Sequence, residues 1–412
     1  MKQETKRLFN EFSFFKGNLL SLAVSSAFTS LGTGMIGAYL PKYFLNIGGN
    51  AITLGFVIAA SAVVQFCMFF LGGIAADRYG RKTILVGAAV YGVLAPFLYF
   101  LLNDWRLFAT VSAIAAFSAV SVPAWHAVVA DSVPPEKRSS GIAALQVFSS
   151  LPQVVAPLGW GWLIDNFGWT VGFKAGCLYS LILGIVAALV LWFFMEETLK
   201  KPVESDSHSS NGPSSKSEVG SIRRSLSTSL KALMIAYSLV MFANSAVGQY
   251  YIVYAIDVVQ LSAFQWSMIV SLQFLIASLL RIPGGKAADR FGKKRVLIAS
   301  VLLCSPFTIL FTFSHSFIQA LVVLLLLVAA GIYYGAAHEA LQADLTPKAV
   351  RGRIAGLWSM SSALGVASGV LVGSWLFQTV NSSAPFYLFT VAELAAFVFL
   401  FFGVKEPLTK EV

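Results

Sequence analysis

Two copies of one short charged motif interrupt an otherwise apolar chain. The first copy is Gly-Ile-Ala-Ala-Asp-Arg-Tyr-Gly-Arg-Lys at 73–82, and the second is Gly-Lys-Ala-Ala-Asp-Arg-Phe-Gly-Lys-Lys at 285–294. A different pattern, Asp-x-x-Pro-x-x-x-Arg, occurs at 131–138 and again at 344–351. The copies lie 212 and 213 positions apart. Because two unrelated motifs keep nearly one offset, the second half of the chain is predicted to repeat the fold of the first.

Composition and the length of the apolar runs place this duplicated chain in a membrane. Hydrophobic residues make up 57% of the 412 residues and charged residues 12%, whereas a soluble domain has roughly 25% charged residues. A spanning helix needs about 20 apolar residues. Twelve segments meet that need: 17–45, 51–75, 83–102, 106–130, 140–164, 170–195, 231–257, 263–287, 296–314, 317–343, 354–380 and 386–404. These spans, numbered 1 to 12, predict an all-α integral membrane protein with twelve transmembrane helices in two pseudo-symmetric six-helix bundles.

Lysine and arginine are distributed unevenly along the chain. Of the 29 basic residues, 25 lie in alternating segments, which are the N-terminus, the loops near 78–82, 137–138, 200–231, 286–295 and 348–353, and the C-terminus. The positive-inside rule assigns these segments to the cytoplasm. Orientation therefore accounts for the net charge of +10 without a nucleic-acid partner. We expect a multi-pass protein of the cell membrane with both termini in the cytoplasm.

The predicted organisation has five parts. A cytoplasmic segment at 1–16 precedes an N-terminal bundle at 17–199, and a Ser-rich cytoplasmic linker at 200–229 leads to a C-terminal bundle at 230–404 and a tail at 405–412. The composition of the linker predicts a flexible tether, because it cannot bury a core. Three isolated cysteines and the lack of catalytic motifs predict neither an enzyme nor a metal or cofactor. We expect a functional monomer in contact with membrane lipid.

The repeated Gly-x-x-x-Asp-Arg-x-Gly-Arg/Lys-Lys resembles motif A of the major facilitator superfamily, which lies between helices 2 and 3 and again between helices 8 and 9. The Asp-x-x-Pro-x-x-x-Arg pattern after spans 4 and 10 is also similar to that family. The resemblance implies a set of gating residues on the cytoplasmic side. They are Gly73, Asp77, Arg78, Gly80, Arg81, Asp131 and Arg138, and in the second half Gly285, Asp289, Arg290, Gly292, Lys293, Asp344 and Arg351.

Elementary physics gives the glycines of these motifs separate roles. Gly73 and Gly285 would let two helices approach closely, since small residues allow close packing in membranes. Gly80 and Gly292 would permit the tight reversal between helices. A further set in span 11 recurs at every fourth position and predicts one smooth packing face: Gly365, Gly369 and Gly373.

The resemblance gives the charged residues partners. It implies that Asp77 faces the N-terminus of helix 11 and that Asp289 faces helix 5, where an anion is stabilised by the helix dipole. It also implies two ion pairs, Arg81–Asp131 and Lys293–Asp344. Breaking such contacts would shift the balance between inward-facing and outward-facing states.

Arg281, Glu339 and Glu393 lie well inside predicted spans, where a charge is expensive. Arg281 in span 8 and Glu339 in span 10 lie at similar depth, and we predict a buried pair between them. That pair is the candidate coupling site, either as a static clamp, which is favoured, or as a proton-sensitive switch. Glu393 in span 12 is expected to have a polar partner within its own half.

A central cavity is implied by the same resemblance, because helices 1, 4, 7 and 10 line it in the family. The candidate substrate residues on those spans are Trp125, His126, Asn244, Tyr250, Tyr254, Tyr334 and His338. Aromatic walls with few polar groups suit amphiphilic organic solutes. Ordinary aromatic packing is the alternative interpretation of the same residues.

Three departures from the family pattern affect the functional prediction. Many proton-linked exporters of the family carry an arginine in helix 4 at the position of Val111, and the first span lacks an acid. The exporter pattern Gly-Pro-x-x-Gly-Gly in helix 5 is matched only in part by Ala-Pro-Leu-Gly-Trp-Gly at 156–161, where Trp160 departs.

The resulting prediction is a secondary transporter that works by alternating access. It would move a small organic solute, would be coupled to protons, and leans to efflux of lipophilic or drug-like compounds. A facilitator or proton-driven uptake carrier for a sugar or organic acid is the first alternative. A membrane sensor that keeps the transport fold is the second.

Overall fold

The computed structural model describes residues 17–133, 138–198, 227–346 and 351–406, with the backbone alone described at 35, 138–144, 146–147, 351–353 and 355. The predicted N-terminal segment 1–16 lies outside these residues. So do most of the predicted linker 200–229 and most of the tail 405–412.

The described residues form helices connected by short turns and contain no strand. In chain order the helices are α1 (Asn18–Asn46), α2 (Ala51–Tyr79), α3 (Arg81–Leu101), α4 (Trp105–Ser132), α5 (138–167), α6 (169–194), α7 (Thr228–Asp257), α8 (Ala263–Phe291), α9 (Lys293–Thr312), α10 (Phe317–Leu345), α11 (Arg351–Thr379) and α12 (Ala384–Gly403). Helix α4 contains a 3-10 stretch at Ala116–Val120, and α12 ends in a π-helical turn at Phe399–Gly403.

The number of spans agrees with the prediction of twelve. Within the described ranges, eleven continuous helical stretches are long and apolar enough to cross a membrane, and one of them, Phe148–Phe194, has 47 residues. That stretch contains Gly168 with φ 78° and ψ 166°, which is not a helical conformation, so it consists of two spans, α5 and α6. The all-α, twelve-helix prediction is therefore confirmed.

The chain divides into two compact units whose boundaries differ slightly from the two sequence halves. The first unit contains the described residues of Met1–Gly49, Val63–Lys201 and Ser262–Phe274, and the second contains the rest. The first turns of α2 thus group with the second unit, and the first turns of α8 group with the first. The predicted bundle boundaries at 17–199 and 230–404 stay a prediction.

Each unit has a hydrophobic cluster near the helix ends that adjoin the basic segments, which we call the basic ends. In the first unit this cluster includes Leu22, Ala76, Val86, Val128 and Leu191, drawn from five helices. In the second it includes Leu233, Ala288, Leu297, Leu341 and Leu400. The helix ends away from the basic segments, called the opposite ends, pack through aromatic rings.

The predicted glycine face of α11 is confirmed, and it packs against α7. A Cβ atom added to Gly365 would lie 2.6 Å from the carbonyl oxygen of Ser238. Cβ atoms on Gly369 and Gly373 would overlap the carbonyl oxygens of Phe242 and Ala246 in the same way. The two helix backbones therefore approach each other closely over two turns.

The predicted packing role of Gly73 and Gly285 is wrong by one residue. A Cβ atom on either would meet no atom within 4 Å. The close approaches are made by the preceding glycines, because Gly72 faces the backbone of Val120 in α4 and Gly284 faces α10.

Trp160, which departs from the exporter pattern, has a structural explanation. Its indole is fully buried against Gly176 of α6, where a Cβ atom would overlap the ring. The indole also stacks on Phe173 with ring centroids 5.5 Å apart and meets Tyr39 edge-on at 5.9 Å. A bulky residue in α5 is thus accommodated by a missing side chain in α6.

Candidate functional site

The repeated motif forms the turn between α2 and α3, and its second copy forms the turn between α8 and α9. Gly80 and Gly292 both have φ 93°, in the region that strongly favours glycine. The prediction of a tight reversal at these two glycines is confirmed.

Both ion pairs implied by the family resemblance are present. Arg81 pairs with Asp131 at the end of α4, and Lys293 pairs with Asp344 at the end of α10. The Arg81 guanidinium also donates to the carbonyl oxygen of Ala127 at 3.4 Å. Each pair ties the beginning of one helix to the end of another within one unit.

Sequence reasoning missed a pair of glutamates that complete these turns. The carboxylate of Glu197, just after α6, accepts hydrogen bonds from the backbone N–H groups of Arg81 and Lys82 at 3.0 and 3.1 Å. Glu406, just after α12, accepts from the backbone N–H of Lys293 at 2.8 Å. An anion at a helix N-terminus is favourable, so α3 and α9 are capped in the same manner.

The remaining motif residues have fewer contacts. Asp77 and Asp289 are exposed, and the structure gives neither a hydrogen-bond or ion-pair partner among the described residues. Arg78 and Arg290 each lie over the aromatic ring of the following residue, at 5.4 Å. The side chains of Arg138 and Arg351 lie outside the described part of the chain. The gating role of the whole set stays a prediction.

The predicted buried pair between Arg281 and Glu339 is not formed. Both side chains are exposed, and Glu339 has no ion-pair partner among the described residues. The interface between α8 and α10 is made by Gly284 against Ile332 and Ala336, so the two charged residues lie beside this contact. Their individual roles in coupling remain untested.

Two predicted cavity residues are not cavity walls in this structure. Tyr250 is fully buried, its ring stacks on Phe377 at 4.3 Å, and its hydroxyl donates to Ser374 Oγ at 2.9 Å. Tyr254 is 3% exposed, and its hydroxyl donates to the carbonyl oxygen of Thr312 at 2.8 Å. The shared helical face was identified correctly, but it packs inside the second unit.

The other predicted substrate residues fall into two groups. His126 and Asn244 are exposed, and Asn244 donates to the carbonyl oxygen of Val240 in its own helix. Tyr334 and His338 are buried inside the second unit. Of the predicted set, Trp125 lines a cavity that the structure describes.

That cavity lies within the first unit and has a volume of about 570 Å³. It is enclosed by apolar side chains and by hydroxyl groups from α1, α4, α5 and α6. The hydroxyl residues from these four helices are Ser25, Ser26, Thr29, Ser30, Thr33, Ser118, Ser121, Ser149 and Ser180, and α3 adds Tyr99. No Lys, Arg, Asp or Glu is part of this lining. We call it the hydroxyl cavity.

Most of these hydroxyls already donate their proton to a helix carbonyl. Thr33 donates to Thr29 at 2.9 Å, Ser180 donates to Gly32 at 2.9 Å, and Ser121 donates to Ser118 at 2.8 Å. A hydroxyl that donates in this way keeps its oxygen lone pairs as acceptors. The hydroxyl cavity therefore offers many weak acceptors and no full charge.

A second set of contacts, at the opposite ends, joins helices that belong to different sequence halves. Within the first unit, the Asp165 carboxylate of α5 accepts hydrogen bonds from the backbone N–H groups of Ala263 and Phe264 at 2.9 and 3.0 Å. The Tyr39 hydroxyl of α1 donates to the carbonyl oxygen of Ala263 at 3.1 Å. The N-terminus of α8 is thus held by α1 and α5.

The second unit repeats this arrangement at the N-terminus of α2. The backbone N–H of Ile52 donates to Gln378 Oε1 of α11 at 2.9 Å. The Tyr250 hydroxyl lies 3.3 Å from the carbonyl oxygen of Ala51. We call the two sets the α8 contact and the α2 contact.

The α8 and α2 contacts are equivalent under the internal repeat. Their residues correspond as Tyr39 to Tyr250, Asp165 to Gln378 and Ala263 to Ala51, at offsets of 211 to 213. The sequence carried a signal for this, since Trp-Leu-x-Asp at 162–165 recurs as Trp-Leu-x-Gln at 375–378. The signal is weak because Gln replaces Asp.

Comparison with known proteins agrees with this duplicated architecture. The family model of the Major Facilitator Superfamily matches residues 22–267 and 233–412, which together cover nearly the whole chain. The chain belongs to the Major Facilitator Superfamily. Members of this superfamily are membrane transporters, so the protein is a multi-pass transporter rather than a soluble protein.

Several transporters are related to this protein at low sequence identity. Multidrug resistance protein 2 of Bacillus subtilis is 22% identical over 86% of this chain and 87% of its own length. Multidrug resistance protein MdtG of Escherichia coli is 26% identical over 90% of both chains. A Na(+), Li(+), K(+)/H(+) antiporter of Planococcus maritimus is 28% identical over 44% of this chain and 42% of its own.

Solved structures share the superfamily fold at lower identity. A D-xylose-proton symporter has a TM-score of 0.72 and 16% identity, covering 94% of this chain and 97% of its own. A bacterial homologue of the iron transporter ferroportin has a TM-score of 0.74 and 16% identity, covering 93% and 97%. At this level of sequence identity, the two structures show a shared fold and nothing further.

Proposed function

We propose that this protein exports lipophilic or drug-like organic solutes in exchange for protons by alternating access. The basic ends of the helices face the cytoplasm, and both termini lie there. The monomer, surrounded by lipid, is the working unit. The names of the relatives support efflux and proton exchange, since two of those described are multidrug resistance proteins and one is a cation/proton antiporter.

The observation that carries the solute class is the lining of the hydroxyl cavity. A carboxylate or phosphate solute would need a cationic partner there, since an unpaired buried charge is costly, and the lining has none. Many acceptor oxygens beside apolar walls and the Trp125 ring instead suit a neutral or singly positive amphiphile.

Alternation requires two sets of contacts that form in different states. The charged residues of the repeated motif supply one set at the basic ends, where Asp77 and Asp289 have no partner among the described residues and would bind a helix N-terminus in another conformation. The α8 and α2 contacts supply the second set at the opposite ends. Exchange between the two sets would open one side as the other closes.

A ligand screen on the purified full chain tests the solute class. Lipophilic cations, neutral amphiphiles, organic anions and sugars are compared by thermal unfolding, and a solute at 100 times its Kd should stabilise the protein by about 2.7 kcal/mol. We expect stabilisation by the first two groups. Stabilisation by sugars or anions alone would contradict the proposal and favour the uptake carrier.

A matched pair of variants locates the bound solute. Thr29→Val removes a cavity hydroxyl without changing side-chain shape, and loss of one hydrogen bond should weaken binding of a donor-bearing solute roughly two- to tenfold. Thr110→Val is the control, since that hydroxyl binds the Arg106 carbonyl and is not part of the lining. Equal affinity in the two variants would place the solute elsewhere.

Transport itself is measured in everted vesicles with an imposed pH gradient. We expect accumulation of the stabilising solute, and its collapse when the gradient is removed. Binding without any accumulation or exchange would contradict transport and favour the membrane sensor.

A further inference from the structure

Glu393 lies at the middle of a membrane span and is almost completely buried. It is the tenth residue of the 20-residue helix α12, and its relative exposure is 2%. Its Oε2 atom has no hydrogen-bond partner. Among the described residues, no hydrogen bond joins Glu393 to the polar partner predicted within its own half.

The surroundings of Glu393 are polar but uncharged. The titratable groups that lie close enough to interact electrostatically with it are Tyr251 of α7, Cys304 of α9 and Tyr334 of α10. Helix α12 is held against α9 near this point, where Thr390 donates to the Ser305 carbonyl at 3.4 Å. No Lys, Arg or His of the described chain forms an ion pair with Glu393.

An ionised carboxylate is not tolerable in such a place without a partner. Moving an unpaired charge out of water costs far more than protonating the group. Burial of this kind favours the neutral carboxylic acid over the carboxylate. Leucine or glutamine would fill a similar space at this position without the cost of burying a charge.

Three further buried polar atoms without a hydrogen-bond partner among the described residues form a row on the basic-end side of the midpoint of α10. Tyr334 and His338 lie one helical turn apart in α10, about 5 and 10 Å beyond its midpoint. The Tyr334 hydroxyl and His338 Nε2 are buried without a hydrogen-bond partner, and so is Trp358 Nε1 of α11. Buried polar atoms are nearly always satisfied, so three unsatisfied atoms in one row, of which Tyr334 interacts electrostatically with Glu393, need an explanation.

The row is closed at its inner end by aromatic rings. His338 stacks on Tyr237 of α7 with ring centroids 4.4 Å apart, and Trp358 lies 5.2 Å from it. Trp358 belongs to the helix whose glycine face lies against α7. The glycine face carries no side chains that interdigitate with α7. A shift of α11 along this face would therefore move Trp358 away from His338.

We propose that Glu393 is a proton-binding site inside the second unit, and that Tyr334 and His338 form its route to the cytoplasmic side. The proton carried on Glu393 in this conformation passes along the row to cytoplasmic water when Trp358 moves away, leaving a carboxylate. That carboxylate is reprotonated from the other side in the alternate state. The inference deepens the proposed proton coupling and rests on it.

Infrared difference spectroscopy tests the site without any solute. Spectra of the full chain in lipid are compared between about pH 6 and about pH 10, where exposed carboxyl groups with an ordinary pKa near 4 are ionised throughout, and they should show the C=O stretch of a protonated carboxylic acid that disappears on alkalinisation. In Glu393→Gln that band should be lost, whereas in Glu196→Gln it should remain. Glu196 is the matched control because it is exposed and bonds only through its backbone.

Several outcomes would overturn the proposal. They are a band that persists in Glu393→Gln, a wild-type protein without any pH-dependent carboxylic acid band, and a band that responds to Na⁺ or Li⁺ in place of pH. If the band depends on Glu393 but no solute is transported, the proton site stands and the proposed export function fails.

Transport measurements then test coupling and route. Glu393→Gln should lose accumulation driven by a pH gradient but keep solute exchange without a gradient, since a permanently neutral residue mimics the protonated state. Tyr334→Phe should retain the infrared band and slow gradient-driven transport. Unchanged gradient-driven transport in Glu393→Gln would overturn the coupling, and unchanged transport in Tyr334→Phe would overturn the route. If Glu393→Gln does not fold, the result for Tyr334→Phe decides alone.

Discussion

At the scale of single residues, the α8 contact shows how much one carboxylate can do. Asp165 accepts two backbone N–H groups at the first turn of α8, where the helix dipole also favours a negative charge. Its repeat-related residue, Gln378, offers one oxygen without charge. The contact made at this repeat-related position therefore differs in strength between the two halves of the chain.

Neutralising Asp165 should make the α8 contact open more often. The charge is worth roughly 0.3–1 kcal/mol at an exposed helix terminus, which corresponds to a roughly two- to fivefold shift. A reporter Ser267→Cys, buried against Gly161 in this contact, measures opening by its rate of maleimide labelling once exposed Cys67 is replaced by Ser. We expect Asp165→Asn to raise that rate two- to fivefold.

Asp104→Asn is the matched control for this measurement. Asp104 also caps a helix N-terminus, accepting from the backbone N–H of Arg106 at 2.8 Å, but it belongs to the capped helix itself. An equal rise of the labelling rate in both variants would mean that the effect is general destabilisation rather than loss of the contact.

At the scale of helices, the close packing of α11 against α7 is the helix contact for which the sequence carried a direct signal. Three glycines at every fourth position of α11 face three carbonyl oxygens of α7. The pattern predicted the face because a helix places such residues on one side. It did not identify α7 as the partner, since the partner contributes backbone atoms that leave no mark on residue type.

A methyl group in this interface should be costly. Gly369→Ala would place a Cβ against the Phe242 carbonyl oxygen, and overpacking of this kind costs about 1–3 kcal/mol. Gly356→Ala lies in the same helix with nothing within 4 Å of the added atom and should not destabilise the protein. The midpoints of thermal unfolding in detergent decide between them, and equal midpoints would refute the close contact.

At the scale of the whole molecule, the repeat predicts that both contacts at the opposite ends bias one conformational equilibrium. Gln378→Glu would give the α2 contact the charge that Asp165 supplies to its counterpart. A reporter Ser374→Cys, 1% exposed beside Tyr250, should then be labelled two- to fivefold more slowly.

Gln319→Glu serves as the control for that substitution. Its amide oxygen accepts from the backbone N–H of His315 at 2.8 Å at the beginning of α10, away from the α2 contact. A slower labelling rate in this variant as well would show that the effect of an added negative charge does not depend on its position.

The sequence was sufficient for the architecture and for part of the site. Apolar runs and the repeat predicted twelve helices, and glycine chemistry predicted the turns at Gly80 and Gly292, because these depend on local conformation. Both ion pairs were implied by the resemblance to the family rather than by the residues alone. The buried pair of Arg281 and Glu339 was wrong, since equal depth does not determine the direction in which a side chain points. The hydroxyl cavity was missed because serine and threonine in membrane helices usually bond their own backbone.

The difference between Asp165 and Gln378 sets an order of events. A contact held by one neutral oxygen breaks before one held by a carboxylate that accepts two N–H groups. We therefore expect the first turn of α2 to detach from α11 while the first turn of α8 is still bound to α5. Opening at the opposite ends would then begin at the α2 contact and finish at the α8 contact, so that a half-released intermediate precedes full access.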